Sequence, residues 1–218
     1  MKNILLLSPH TDDIELGAGG LLLKLLRNPE ITIHWVVFST AKQSLPEGME
    51  SDTLLLEFHQ VCERLKLSED SFEVLDIPVR NFGLHRQEIL DHLISIRNRF
   101  KPDLVIGPST FDLHQDHGVI ANEMIRAFKN TSSIIAYELP WNNSNFRSDL
   151  FIGLDEDEIL QKINILKCYT SQIVKNRSYF DEDFIRSWAK YRGIQCAENF
   201  AECYSVIRIR DNFSLDKL

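Results

Sequence analysis

The sequence predicts an α/β protein with a Rossmann-like, doubly wound and mostly parallel sheet, followed by a C-terminal helical and strand extension. Short apolar runs of strand length alternate with amphipathic stretches of helical period, and polar or turn residues bound each run. Strands that are buried on both faces and separated by helices form a parallel sheet covered on both sides. We expect a single domain over residues 1–218, because no linker, repeat or low-complexity tract divides the chain.

Apolar runs of four to six residues are the predicted strands one to five. They are Ile4–Leu7, Ile33–Phe38, Phe72–Leu75, Leu104–Gly107 and Ile134–Tyr137. Later in the chain, apolar residues recur at three- and four-residue steps between these runs, as on the buried face of a helix. The helical patterns span Leu54–Leu65, Ile89–Phe100 and Ile120–Phe128.

The chain changes character after strand five, where a polar, turn-rich connection has no periodicity. Asp155 and Glu158 match a helix N-cap and its partner three residues later, which predicts a helix start. A second helix is predicted over Asp183–Tyr191, ending at Gly193, where a left-handed residue would be tolerated. Tyr204–Ile209 alternates like a partly exposed strand.

Composition limits the function. The 218 residues carry 24 Lys and Arg against 32 Asp and Glu, a net charge of −8, which disfavours nucleic-acid or anionic-membrane binding and suits a small-molecule substrate. The apolar run at the start is too short for a signal sequence or a membrane span, so we expect a cytoplasmic protein. The four cysteines form no Cys-x-x-Cys pair, and we expect them to be reduced and mostly buried.

Two polar clusters directly follow predicted strands one and four. The first contains His10, Asp12 and Asp13, and the second, residues 112–117, contains two histidines. In a sheet of order 3-2-1-4-5 these strands are neighbours at the switch point, where ligands bind outside the carboxyl ends. Imidazole nitrogen and carboxylate oxygen are typical ligands of zinc and ferrous iron. The clusters together predict a catalytic metal site, although a helix cap could explain one aspartate and loop histidines could be merely solvated.

The same segments resemble a known family. Residues 9–20, PHTDDIELGAGG, and residues 112–117, DLHQDH, closely resemble the two signature motifs of the LmbE-like, or PIG-L, family of metal-dependent N-acetylglucosaminyl deacetylases. Ser171-Gln172 and residues 192–204 look like later landmarks of that family, so the resemblance covers nearly the whole chain. It implies the LmbE-like fold and hydrolysis of an acetylated aminosugar conjugate that releases acetate and a free amine.

The resemblance also implies metal ligands and a base. Matched by motif, His10, Asp13 and His117 would hold the metal, and Asp12 would be the general base. The expected ion is Zn²⁺, with Fe²⁺ or another divalent metal as alternatives. Several family members form closed oligomers, which makes a homo-oligomer compatible with the resemblance.

Two further residues of the second motif receive roles by the same match. His114, in its protonated form, would stabilise the oxyanion or protonate the amine, and Asp116 would orient or tune His114. Thr11 and Ile14 depart from the commonest form of the first motif, but neither is a presumed ligand.

Candidate substrate contacts lie on loops at the ligand-binding side of the sheet. Arg80, Asn81 and Arg86 follow strand three and could hydrogen-bond sugar hydroxyls or a phosphate, or simply be solvated. Trp141 could stack on a sugar ring, or its loop could be only a surface crossing.

Two other functions stay open. A catalytically silent sugar-binding protein could use the same fold, although the intact set of histidines and aspartates argues against it. A Rossmann oxidoreductase is disfavoured because the glycines at 17, 19 and 20 lack the Gly-x-Gly-x-x-Gly spacing; Leu22 stands where the third glycine would be. We interpret these glycines as sites of close packing between helix and sheet.

Overall fold

A single seven-stranded sheet runs through residues 2–210, the part of the chain that the computed structural model describes. Residue 1 and residues 211–218, at the ends of the predicted domain, lie outside the described residues. The strand order is β3-β2-β1-β4-β5-β7-β6. The strands are β1 (Asn3–Ser8), β2 (Thr32–Val37), β3 (Phe72–Val74), β4 (Leu104–Pro108), β5 (Ser133–Tyr137), β6 (Leu150–Leu154) and β7 (Phe200–Arg208). The predicted order 3-2-1-4-5 and its parallel pairing are confirmed.

Helices cover both faces of the sheet. They are α1 (Asp13–Leu26), α2 (Thr53–Arg64), α3 (Arg86–Phe100), α4 (Gln115–Phe128), α5 (Glu156–Leu166), α6 (Thr170–Val174) and α7 (Glu182–Cys196). Ile4 and Leu6 of β1 join a core with α1, α2, α5 and α7, whereas Leu5 and Leu7 join a second core with α3 and α4. Successive side chains of a strand point to opposite faces, so β1 must be apolar throughout. The predicted doubly wound α/β class is confirmed.

The C-terminal extension departs from the prediction. An unpredicted strand, β6, forms the edge, and β7 begins at Phe200 rather than at Tyr204; it pairs antiparallel with β5 and β6. The helix predicted to end at Gly193 continues to Cys196, and the left-handed residue is Ala197 (φ 63°). Gly193 instead allows close packing, because a Cβ there would lie 2.7 and 2.8 Å from the backbone oxygens of Glu198 and Asn199. The predicted capping box that starts α5 is confirmed.

Close packing shapes α1, which carries the first polar cluster. A Cβ at Gly17 would lie 2.6 Å from the Tyr137 ring on β5, and one at Gly20 would lie 2.5 Å from Leu154 on β6. The predicted packing of helix against sheet is confirmed for Gly17 and Gly20, whereas Gly19 packs against Lys162 of α5. The helix is kinked at Ala18 (φ −144°), and the backbone N–H groups of residues 20 and 21 donate to the carboxylate of Glu202 at 2.7 and 2.8 Å.

The buried amine of Lys162 completes this support. It donates to Glu202 and to the carbonyl oxygen of Leu16, both at 2.7 Å. The start of α1 is thereby anchored to α5 and β7. All four cysteines are free, and Cys62, Cys168 and Cys203 are buried, as predicted. Within residues 2–210, no helix has the length and apolarity needed to cross a membrane.

Candidate metal centre and active-site cleft

The carboxyl ends of β1 and β4 bring the two polar clusters together. These strands are parallel neighbours, with Leu6 opposite Ile106. His10 follows β1 two residues beyond its last residue, and Asp13 is the first residue of α1. His114 is the N-cap of α4, which follows β4, and His117 lies in its first turn. Although they are 107 positions apart in sequence, His10 Nδ1 and His117 Nε2 lie 3.2 Å apart.

Three buried atoms that could bind a metal ion form a nearly regular triangle. His10 Nδ1 lies 3.3 Å from Asp13 Oδ2, and His117 Nε2 lies 3.4 Å from that same oxygen and 3.2 Å from His10 Nδ1. Ligands bound about 2.0–2.1 Å from a tetrahedral ion lie about 3.3–3.4 Å from one another. The two imidazoles and the carboxylate therefore fit a divalent ion in both chemistry and spacing. His114 also offers a ring nitrogen within 4.8 Å of those of His10 and His117.

Two carboxylates of the second cluster hold the outer nitrogens of these histidines. Asp112 Oδ2 accepts from His117 Nδ1 at 2.8 Å, and Asp116 Oδ2 lies 3.2 Å from His10 Nε2. A proton held on the outer nitrogen leaves the inner nitrogen of the same ring free to bind a metal. Sequence reasoning gave no role to Asp112, although a carboxylate five residues before a histidine in the same motif was a visible signal.

The carboxylate of Asp116, predicted to orient or tune His114, makes no hydrogen bond with the His114 ring, but its negative charge acts to raise the pKa of that ring. It lies against His10 and also accepts from the backbone N–H of Arg80 at 2.7 Å. Only the backbone N–H of Asp116 reaches His114, at Nδ1, 3.3 Å away. The first turn of α4 explains the difference, because it directs the Asp116 side chain towards the end of β1.

Asp12 and Asp13 have opposite electrostatic environments. Burial and the charge of Asp13 raise the pKa of Asp12 to about 6. Burial alone would raise the pKa of Asp13 as well, but the positive charge of His117 and hydrogen bonds from His10 lower it to about 2. One carboxylate thus stays ionised while its neighbour titrates near neutrality, the division typical of a ligand beside a base. Asp12 occupies the N-cap position of α1 but makes no side-chain cap, so capping does not explain it.

The histidines also differ. Burial lowers the pKa of His10, but hydrogen bonds to Asp116 and Asp13 outweigh this effect and raise it to about 10. Burial, reinforced by the charges of His117 and His10, lowers the pKa of His114 to about 4. The protein environment therefore favours neutral His114 rather than the protonated form expected from sequence. Since its Nδ1 accepts a backbone N–H, the neutral ring carries its proton on Nε2.

A cleft of about 160 Å³ opens over these groups. Its wall includes Asp12, His114 and Trp141; contact between Trp141 and a substrate stays a prediction. One face of the Trp141 ring is stacked on Tyr179, with ring centres 4.2 Å apart and planes 8° from parallel. Sequence reasoning missed several lining residues because they lie in irregular segments without a periodic pattern. They include Ser44, Arg177 and Tyr179.

The three predicted loop contacts are placed differently from one another. Arg80 is exposed and its guanidinium donates to Ser44 Oγ at 2.9 Å, which puts it beside the cleft. Asn81 is exposed and does not line the cleft. Arg86 is bound to the buried carboxylate of Glu123 on α4, so its guanidinium is occupied in packing α3 against α4.

Comparison with known proteins supports the kinship suggested by the motifs. Residues 5–128 match the family model described as "PIG-L: GlcNAc-PI de-N-acetylase". A curated relative, the uncharacterized deacetylase YaiS of Escherichia coli, is 26% identical over 179 residues, which cover 78% of this chain and 91% of the relative.

Solved structures show the same fold at low identity. The N,N'-diacetylchitobiose deacetylase from Pyrococcus horikoshii aligns with a TM-score of 0.77 at 17% identity, covering 94% of this chain and 84% of that one. GalB, the 4-carboxy-2-hydroxymuconate hydratase from Pseudomonas putida KT2440, aligns with a TM-score of 0.74 at 20% identity, covering 99% and 100%. The fold therefore occurs with more than one reaction, and the chemistry must be argued from the site.

Proposed function

Because the chain belongs to the PIG-L family of GlcNAc-PI de-N-acetylases, we propose that it is a metal-dependent hydrolase of acetylated aminosugar conjugates. It removes an N-acetyl group and releases acetate and a free amine. The observation that carries this proposal is the triangle formed by His10, Asp13 and His117, with the separate carboxylate of Asp12 in the same cleft. A cytoplasmic location and a homo-oligomer stay predictions of the sequence.

The three atoms of the triangle would hold the ion. When bound, a divalent metal such as Zn²⁺, or Fe²⁺ as the alternative, supplies Lewis-acid polarisation of the acetamide carbonyl and makes a nearby water more acidic. Asp112 and Asp116 hold the outer nitrogens of His117 and His10, so the inner nitrogens of both rings would face a bound ion.

Asp12 moves the proton. Its carboxylate takes a proton from the attacking water as the oxygen of that water adds to the acetamide carbon. The C–N bond then breaks, and the same proton passes to the departing nitrogen. A carboxyl group with a pKa near 6 can both accept and return a proton near neutral pH.

His114 stabilises the oxyanion in this proposal. The neutral ring carries a proton on Nε2 and lines the cleft, so it can donate to the acetamide oxygen as negative charge develops there. Asp116, predicted from the motif to orient or tune His114, acts mainly through its contact with His10, and its charge has a smaller effect on His114.

The test is a panel of acetamido sugars incubated with metal-loaded protein, with amine and acetate measured together by mass spectrometry. We expect equal amounts of both products, about one divalent metal per chain, and loss of activity on chelation. Full activity of a metal-free preparation would refute the metal dependence. Binding without any amine release across the panel would favour the silent sugar-binding alternative.

A further inference from the structure

Three cationic side chains gather at one side of the cleft. The guanidinium of Arg80 donates to Ser44 Oγ at 2.9 Å, and the amine of Lys175 donates to the carbonyl oxygen of the same serine. Arg177 lines the cleft and donates through Nη1 to the hydroxyl of Tyr179. These three residues, Arg80, Lys175 and Arg177, are called the cationic rim below.

The members of the cationic rim form no salt bridge with a carboxylate of residues 2–210. In the part of the chain that the structure describes, none of its members forms an ion pair with Asp or Glu, whereas the buried Lys162 and Arg192 pair with Glu202 and Glu138. The Nε atom of Arg177 is also buried without a hydrogen-bond partner. A buried donor without a hydrogen bond costs free energy, so the Nε–H group of Arg177 is suited to an acceptor from a bound ligand.

Mutual repulsion within the rim has the same implication. Burial and the charge of Arg177 lower the pKa of Lys175; the charge of Asp12 opposes them, and the charge of Arg80 adds a smaller lowering. The carboxylate that acts on the rim thus belongs to the catalytic site. A bound anion would relieve the repulsion and supply the missing acceptor.

The backbone of Arg80 is held in a strained conformation beside the metal centre. Its φ is +70°, a region that an arginine rarely adopts. The N–H of Arg80 donates to Asp116 at 2.7 Å, and its carbonyl oxygen accepts from Gln115 Nε2 at 2.6 Å. A strained backbone conformation that is held by hydrogen bonds on both sides is typical of functional sites. The loop that presents Arg80 is therefore attached to the same carboxylate that orients His10.

We propose that the cationic rim binds an anionic group of the substrate, a phosphate or a carboxylate, so that the enzyme acts on negatively charged acetamido sugars. This inference rests on the proposed deacetylase function for the acetamide end of the ligand. The cleft is lined both by the metal donors and by Arg177 and Ser44, so one molecule can reach both ends. Guanidinium groups match the geometry of phosphate and carboxylate oxygens.

The first experiment compares kcat/KM for neutral N-acetylglucosamine with its 1-phosphate and 6-phosphate and with N-acetylmuramic acid, which carries a carboxylate. We expect at least one anionic sugar to exceed the neutral sugar by about tenfold or more, the scale of one charge-assisted hydrogen bond. Comparison of the phosphates with the carboxylate identifies the anion. An anionic-to-neutral ratio of one or less would overturn the proposal.

Two variants locate the effect. Arg177→Gln is expected to lower the anionic-to-neutral ratio about tenfold, mainly through KM, because it removes a fork of charged donors. Lys129→Gln removes the same charge from an exposed residue at the far end of α4 and should leave the ratio unchanged. Equal ratios in wild type and Arg177→Gln would refute the rim as the anion site.

A binding experiment separates this inference from the proposed function. Calorimetry with the same four sugars is performed on metal-loaded wild type and Arg177→Gln. In one outcome, no sugar is deacetylated, but wild type binds an anionic sugar more tightly than the neutral sugar and Arg177→Gln does not. The proposed function is then wrong and the proposed anion site is supported. In the other outcome, the neutral sugar is deacetylated and all four sugars bind with equal affinity. The proposed function is then supported and the proposed anion site is wrong.

Discussion

Asp112→Asn is expected to weaken divalent metal binding without removing any metal ligand. The Asp112 carboxylate accepts two hydrogen bonds, from His117 Nδ1 and from the backbone N–H of His114, each at 2.8 Å. An amide of the same shape offers one oxygen and one NH₂ group, so one of these donors loses its acceptor. If that donor is the imidazole, the ring is no longer held with its Nε2 facing the metal position.

The size of the effect follows from the bond that is lost. Both side chains are buried, with Asp112 8% and His117 2% exposed, so water does not replace the acceptor. A hydrogen bond to a charged group contributes about 1.5–3 kcal/mol, and each 1.4 kcal/mol is a factor of about ten in affinity. We therefore expect a loss of about 10–100-fold in metal affinity, the range typical of residues that orient a metal-binding histidine.

The assay is competition for Zn²⁺ against a chromophoric chelator, with urea unfolding of the metal-free protein measured in parallel. Asp155→Asn is the matched control, because Asp155 accepts a backbone N–H at 2.8 Å as the N-cap of α5, away from the site. The control should lose at most about 1 kcal/mol of stability and keep its metal affinity. An Asp112→Asn dissociation constant equal to that of wild type would refute the orienting role.

Three further predictions address the base, the packing and the thiols. Asp12→Asn should keep about one metal per chain by mass spectrometry while amine release falls about 10²–10⁴-fold, and an unchanged rate would remove Asp12 from the role of base. Gly193→Ala should lower the free energy of unfolding in urea by about 1–3 kcal/mol, because its Cβ would overlap backbone oxygens. Gly118→Ala is the control, because a Cβ there would meet no atom within 4 Å, and it should raise the free energy of unfolding by about 0.5–1 kcal/mol. Equal changes in stability for the two variants would contradict the packing argument. Burial raises the pKa of Cys203 to about 11, so its thiol stays protonated up to about pH 9. Because the other three cysteines are buried, only Cys196 should react quickly with a thiol reagent. Prompt reaction of a second thiol would contradict this expectation.

Sequence reasoning predicted the centre of the fold and missed part of its edge. β1 is apolar at every position because it faces a helical layer on each side, and such runs are visible in sequence. β6 was missed because it lies at the edge of the sheet, where Leu150, Phe151 and Gly153 are only half-buried and the pattern is weak. The end of α7 was misplaced because Gly193 is required by backbone atoms of residues 198 and 199, which local sequence does not show.

By itself, the sequence determined which strands carry polar clusters, because residue type and periodicity are local properties. It placed His10, Asp13 and His117 at neighbouring strand ends, since parallel order follows from the alternation of strands and helices. Only the tertiary structure decided that Asp112 and Asp116 contact His117 and His10, and that Arg80, Lys175 and Arg177 lie together without a salt bridge to any carboxylate of the described residues. The physical reason is that hydrogen bonds and charge balance depend on distances of a few ångströms between segments far apart in the chain, and those distances are set by packing.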